Sequence, residues 1–154
     1  MSIPEAAAWH EAGHAVMRWR LALPLTKLIV NADGSGFCWG TGRPLITLRD
    51  SLRLRLAGPA GEIGMMSALL SWEESRGADL DAARVILARW TPPAEIEDGL
   101  KREFDAVCDD LWPHFDLVEL IAGSLVDRDG MLSGRSVAAL CREYARREEH
   151  AERK

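Results

Sequence analysis

The chain has 154 residues, of which 47% are hydrophobic and 28% charged, as is typical of one folded globular domain. Its formal net charge of -5 argues against nucleic-acid binding, and no apolar stretch approaches the roughly 18 residues that a membrane-spanning helix needs. The amino terminus lacks the features of a signal peptide, and Cys38, Cys108 and Cys141 show no CxxC spacing. We therefore expect a single domain, residues 1–154, in the cytoplasm, without membrane insertion, disulfide framework or nucleic-acid partner.

The first half of the chain predicts two helices separated by a small β-hairpin. In chain order the predicted elements are a helix over residues 4–22, strands over 26–30 and 37–39, a loop over 41–50 and a helix over 51–72. Pro4 suits the first turn of a helix, and Asp33-Gly34 has the chemistry of a tight turn between antiparallel strands. Pro59 must kink the second helix or mark a new start. The small residues that would let another helix approach closely are Ala57, Gly58, Ala60 and Gly61.

The second half predicts four more helices, so the fold class is mainly α with a small β-hairpin after the first helix. Three helices cover about residues 80–90, 94–111 and 115–126, and a last one begins at Ser133. Asp79 can cap the first of them, and Asp129-Gly130 forms a turn before the last. The large side chains expected to pack on helices rather than bind a ligand are Trp9, Trp19, Trp72, Met65 and Met66.

Residues 10–14 read His-Glu-Ala-Gly-His, an HExxH motif inside the first predicted helix. Helix positions i and i+4 share a face, so His10 and His14 lie about 6 Å apart along the axis and can converge on one Zn²⁺. Glu11 can take a proton from a zinc-activated water during attack on a peptide carbonyl. The motif therefore predicts a zinc metallopeptidase with Glu11 as the general base. The alternative is a helical protein whose two histidines bind no metal.

A catalytic zinc site needs a third protein ligand and an open fourth position. The residue pattern alone leaves that third ligand open. His114 and His150 are candidates by residue type. Among the acidic residues, Glu62 lies on the helix that is rich in small residues, and Asp79 and Asp81 lie near the start of the next helix. Asp79 can equally serve only as the N-cap of that helix.

Four segments, in order along the chain, resemble the FtsH-type zinc metalloproteases (peptidase family M41). Residues 10–16, HEAGHAV, are similar to that family's HEAGHA(V/L) segment, and residues 56–62, LAGPAGE, to its LAGRAAEE helix. Residues 77–83, GADLDAA, resemble its GA…DLxxA segment, and residues 125–134 resemble its LLE…TLxG turn. The resemblance spans almost the whole chain and implies a helical metalloprotease domain.

The resemblance implies that Asp79 is the third zinc ligand, because the aspartate of the DLxxA segment holds zinc in that family. The distance in sequence from Gly77 is shorter than in the family, which leaves Asp81 as the alternative. Glu62 of the second segment is kept, and we expect it to orient a ligand or a helix. The family's Arg, Ala and Glu in that segment are replaced by Pro59, Gly61 and Ile63.

The family's best-known members join the peptidase to a membrane-anchored AAA+ ATPase, whereas here HExxH begins at residue 10 and no GxxxxGK(S/T) motif occurs. We therefore expect a stand-alone, ATP-independent zinc endopeptidase that cuts unfolded or flexible polypeptides, alone, as a homo-oligomer or with a partner that delivers substrate. An extended substrate would add to the edge of the hairpin near residues 37–40. The alternative is a catalytically weak or inactive regulatory or interaction protein that keeps zinc as a structural clamp. Glu11 speaks against it, because a structural site needs no general base.

Overall fold

The computed structural model describes residues 2–41, 46–66 and 77–153. These residues form six α-helices and three strands, in the order α1 (Glu5–Arg20), β1 (Lys27–Val30), β2 (Gly36–Trp39), α2 (Leu48–Met66), α3 (Ala78–Leu87), α4 (Ile96–Leu111), α5 (Phe115–Asp127), β3 (Met131–Ser133) and α6 (Gly134–Ala151). Short 3-10 turns at Pro93–Glu95 and Trp112–His114 precede α4 and α5. The predicted mainly helical fold class is confirmed, and the predicted hairpin is part of a larger sheet.

The sheet is antiparallel and has the strand order β2-β1-β3. Leu28 of β1 pairs with Cys38 on one side and with Leu132 of β3 on the other, and both leucines are buried in the core. The sequence did not predict β3. The turn before it lies at Asp129 and Gly130, where φ is 50° and 84°, and it brings the chain back to β1. The third strand therefore covers one edge of β1 and leaves β2 at the edge of the sheet.

The helix that carries the HExxH motif, α1, lies against α2 with backbone close to backbone. A Cβ on Gly13 would lie 3.2 Å from the Cα of Gly61, and one on Gly61 would lie 3.1 Å from the Cα of Gly13. These Cβ atoms would also overlap backbone oxygens, that of Gly13 the Ala57 carbonyl and that of Gly61 the Trp9 carbonyl at 2.5 Å, which is why glycine occupies both positions. The close approach predicted for this segment is confirmed. The helix does not restart at Pro59, since α2 runs through that residue without a break.

Two helices, α2 and α3, have boundaries that differ from the prediction. The helix α2 begins at Leu48, inside the predicted loop, and the Thr47 hydroxyl accepts a hydrogen bond from the Asp50 amide at 3.0 Å, as an N-cap does. The helix α3 has Gly77 as its N-cap, so Asp79 lies in the first turn and is not the cap. Its end at Leu87 falls short of the predicted end near residue 90. Predictions for residues 42–45 and 67–76, Trp72 among them, lie outside the described residues, as do the side chains of Met65 and Met66.

The tryptophans of α1 pack against neighbouring helices, as predicted. The ring of Trp9 lies 6.5 Å from that of Phe115, and the ring of Trp19 meets His114 edge-on at 5.4 Å. The three cysteines are free thiols, with Cys141 buried and the other two partly buried. Among the described residues, none of the helices combines the length and the apolar character that a bilayer crossing requires.

Candidate metal centre

Three side-chain atoms from α1 and α3 converge on one point. The Nε2 atoms of His10 and His14 lie 3.1 Å apart, and Asp79 Oδ2 lies 2.9 Å from the first and 3.2 Å from the second. Ligands held 2.0–2.1 Å from a tetrahedral zinc ion are about 3.3 Å apart, so the three atoms already have nearly the spacing that zinc requires. All three side chains are partly buried, and together they form a group that could hold a metal ion.

The outer nitrogens of both imidazoles are held by acceptors on α2. His10 Nδ1 donates to the Glu62 carboxylate, and His14 Nδ1 donates to the Leu54 carbonyl at 2.7 Å. Because a backbone carbonyl can only accept, His14 carries a proton on Nδ1 and directs Nε2 toward the cluster. This is the arrangement that fixes the tautomer and the ring orientation of metal-binding histidines. Glu62 thus contacts the outer side of a histidine, and its carboxylate is not one of the three converging groups.

Gly58 of α2 forms the floor beneath both imidazoles. A Cβ on this residue would lie 2.5 Å from His14 Nε2 and 2.7 Å from His10 Cδ2. Any side chain here would occupy the place toward which the two rings point. The sequence marked Gly58 only as a helix-packing residue, and its contact with the histidines depends on the tertiary fold.

Glu11 is a buried carboxylate beside the cluster. The residue is only 5% exposed, and its Oε2 has no hydrogen-bond partner among the described residues. A Cβ on Gly36 of β2 would lie 2.8 Å from its Oε1, so the carboxylate lies directly under the edge strand. Burial raises the pKa of Glu11, while the nearby charges of His14 and His10 act in the opposite direction. An unsatisfied buried polar atom costs on the order of 1–3 kcal/mol, and such groups concentrate where a protein binds or reacts.

The charges of the cluster depend on one another. Burial alone would raise the pKa of Asp79, but hydrogen bonds from His10, His14 and Arg55 outweigh it and hold that pKa well below its usual range. Burial alone would lower the pKa of His10, but its hydrogen bonds to Asp79 and Glu62 raise it to about 9. Arg55 Nη1 donates to Asp79 Oδ1 at 3.1 Å, which leaves Oδ2 directed at the histidines. Asp79 is therefore an ionised, oriented oxygen donor.

The other candidate ligands lie away from this point. The side chain of Asp81 is 78% exposed and pairs with Arg84 at 3.0 Å. His114 Nδ1 lies 3.2 Å from the Tyr144 hydroxyl. His150 Nδ1 donates to a backbone carbonyl within α6 at 2.8 Å. Of the residues considered from the sequence, the structure brings together His10, His14 and Asp79, with Glu62 behind His10.

Two clefts flank the cluster. The one on the His10 side has a volume of about 560 Å³ and is lined by Asp33 and Glu62, among others. The one on the His14 side has a volume of about 340 Å³ and is lined by Arg18 and Arg55, among others. Three residues line both clefts, namely Glu11, Gly36 and Asp79. The clefts therefore meet at the buried carboxylate, along the β2 edge.

Comparison with models of known protein families and with curated proteins yields no match for this chain. The resemblance to the FtsH-type metalloproteases thus stays a prediction.

Proposed function

We propose that this chain is a zinc-dependent endopeptidase in which His10, His14 and Asp79 hold the metal and Glu11 is the general base. One observation carries the proposal, namely three converging donor atoms beside a buried carboxylate whose Oε2 has no partner among the described residues. The donor set of two imidazoles and one carboxylate is one that catalytic zinc sites use. A structural site would need the donors but would have no use for the unpaired carboxylate.

When bound, zinc polarises the carbonyl of the scissile bond and lowers the pKa of water. Glu11 accepts the proton that the attacking water loses and returns it to the leaving amine. Its burial raises its pKa, so it holds that proton more readily than an exposed glutamate does. Glu62 and the Leu54 carbonyl keep the two imidazoles from rotating while this happens.

The proposed substrate is an extended polypeptide, cut without ATP. Glu11 lies beneath Gly36 at the start of β2, so a peptide that pairs with this edge strand passes over the buried carboxylate. Addition of a strand to a free sheet edge supplies backbone hydrogen bonds to any sequence in extended conformation. The exposed side chains of Phe37 and Trp39 flank this edge and offer apolar contacts. A folded chain cannot present such a strand, whereas an unfolded or flexible segment can.

Cleavage of one protein in its folded and in its chemically unfolded form tests this proposal. With zinc present, the unfolded form should be cut and the folded form spared. Glu11→Gln should retain zinc while its rate falls about a hundredfold or more, as expected for loss of a general base. Glu5→Gln makes the same change in the exposed first turn of α1 and serves as the matched control. Zinc-loaded wild type that cuts neither form would instead favour the alternative of a non-catalytic zinc-binding interaction protein.

A further inference from the structure

Arg18, at the cleft on the His14 side, has no carboxylate partner among the described residues. Three arginines among the described residues are half-buried, and two of them pair with carboxylates, Arg53 with Asp110 at 3.2 Å and Arg84 with Glu97 at 2.7 Å. No carboxylate of the described residues pairs with Arg18. Its Nη1 donates to the Pro24 carbonyl at 2.8 Å, which fixes the guanidinium in place. The guanidinium also hydrogen-bonds the Cys38 side chain, and since an arginine has five N–H donors, the others are available to a ligand.

The position of Arg18 relative to the metal centre follows from helix geometry. His10, His14 and Arg18 are spaced by four residues on α1, so Arg18 lies on the same face, about 6 Å beyond His14 along the axis. An extended peptide advances about 3.3 Å per residue. The cluster centre lies between His10 and His14, about 6–9 Å from Arg18 along the axis, so a side chain that meets Arg18 belongs to a residue two or three positions from the bond at the cluster.

The direction of a bound peptide follows from how β2 lies along α1. A Cβ on Gly36 would meet Glu11, and a Cβ on Gly40, just past the end of β2, would lie 2.6 Å from Arg18 Nη1. The strand thus runs from the general base toward Arg18. A peptide that pairs with β2 in the slightly more stable antiparallel arrangement runs the opposite way. Its amino-terminal part then lies at Arg18.

We infer that the cleft on the His14 side selects polypeptides with an acidic side chain two or three residues on the amino-terminal side of the cleaved bond, and that Arg18 determines this specificity. The inference rests on the proposed endopeptidase function and names its substrate class. Arg55 lines the same cleft, but its Nη1 pairs with Asp79 Oδ1 at 3.1 Å, so Arg18 is the guanidinium of this cleft that has no carboxylate partner among the described residues. A carboxylate is the partner that a fixed guanidinium binds best, because two N–H groups can meet two oxygens.

The test uses a neutral fluorogenic peptide in which one position at a time carries Glu or Gln, over three residues on either side of the cleaved bond. When the substituted position is the second or third residue on the amino-terminal side of the cleaved bond, wild type should cut the Glu peptide with a kcat/KM about five to ten times that for the Gln peptide. Arg18→Gln should reduce this ratio to about one, mainly through KM. Arg20→Gln removes the same charge two residues away, where the arginine faces Asp110 at 3.8 Å, and should keep the ratio. Circular dichroism shows whether each variant is folded.

Binding gives a second measurement that needs no turnover. Fluorescence anisotropy with the Glu11→Gln protein should show the same preference for the Glu peptide, again lost with the added Arg18→Gln change. Glu11-dependent cleavage at equal rates for all Glu and Gln peptides would overturn the inference and leave the endopeptidase proposal standing. A preference on the carboxyl-terminal side, or one that survives Arg18→Gln, would also overturn it. Selective binding without any cleavage would support recognition by Arg18 and refute the catalytic proposal.

Discussion

Replacement of Gly58 by alanine should damage the metal site while leaving the fold intact. The new methyl carbon would lie 2.5 Å from His14 Nε2 and 2.7 Å from His10 Cδ2, where an ordinary contact is about 3.5–4.0 Å. The two rings must therefore move by about 1 Å. Metal–ligand distances tolerate only about 0.2 Å. Because loss of an orienting contact alone weakens metal binding by about 10- to 100-fold, direct displacement of two ligands should weaken zinc binding by at least about 100-fold.

The metal-free stability of this variant should fall by about 1.5–3 kcal/mol. Alanine is a better helix former than glycine by about 1 kcal/mol. The displaced His14 loses a hydrogen bond to the Leu54 carbonyl that is worth about 1 kcal/mol, and these two effects cancel. His10, whose raised pKa keeps it protonated at neutral pH without metal, also loses a charge-assisted hydrogen bond to Glu62 that is worth about 1.5–3 kcal/mol.

The assay is a zinc titration against a chromophoric chelator, together with urea unfolding of the metal-free protein. Gly123→Ala on α5 is the matched control, since a Cβ there meets nothing within 4 Å. It should bind zinc as wild type does and gain up to about 1 kcal/mol in stability. Gly58→Ala with the zinc affinity of wild type would refute the assignment of His10 and His14 as joint ligands.

Three further predictions concern the pH dependence of metal binding, the pH dependence of metal-free stability and the start of α6. Hydrogen bonds to Asp79 and Glu62 outweigh burial and raise the pKa of His10 to about 9 in the metal-free protein. Because zinc binds only the deprotonated ring, zinc affinity should rise about tenfold per pH unit between pH 6.5, the pKa of this histidine in the unfolded state, and pH 9. A zinc titration that is flat above pH 7 would contradict this. The same shift stabilises the metal-free fold fully below pH 6.5, and urea unfolding should show that contribution being lost as the pH rises through 9. Ser133 Oγ caps α6 by accepting from the Ser136 amide at 3.1 Å, so Ser133→Ala should cost about 1 kcal/mol in urea unfolding, whereas an unchanged midpoint would show that the cap contributes nothing.

The parts of the fold that local patterns determine could be predicted from the sequence. The start of α1 and the hairpin strands followed from Pro4, Asp33 and Gly34, because these residues act on their own neighbours. The third strand could not be predicted, since it has three residues and exists only through pairing with β1, about a hundred residues earlier. The start of α2 was within reach, because Thr47 followed by Asp50 is a recognisable capping pattern.

The candidate metal centre likewise has residues that local spacing predicts and residues that only the tertiary fold brings to it. Spacing within one helix put His10 and His14 on a common face, whereas the third donor is 65 residues beyond His14 and spacing could not choose between Asp79 and Asp81. The Leu54 carbonyl could not be found, because a backbone acceptor leaves no residue-type signal. Arg18 could have been found, since it continues the four-residue spacing of the two histidines. Its lack of a carboxylate partner among the described residues is visible only in three dimensions.

The most direct test of the metal centre is zinc stoichiometry by elemental analysis of wild type, His14→Ala, Asp79→Ala and Asp81→Ala. The geometry predicts about one zinc per chain in wild type and in Asp81→Ala, whose side chain faces solvent, and a loss of zinc in His14→Ala and Asp79→Ala. Zinc kept by Asp79→Ala, or absent from wild type after reconstitution at neutral pH, would contradict the three-donor site.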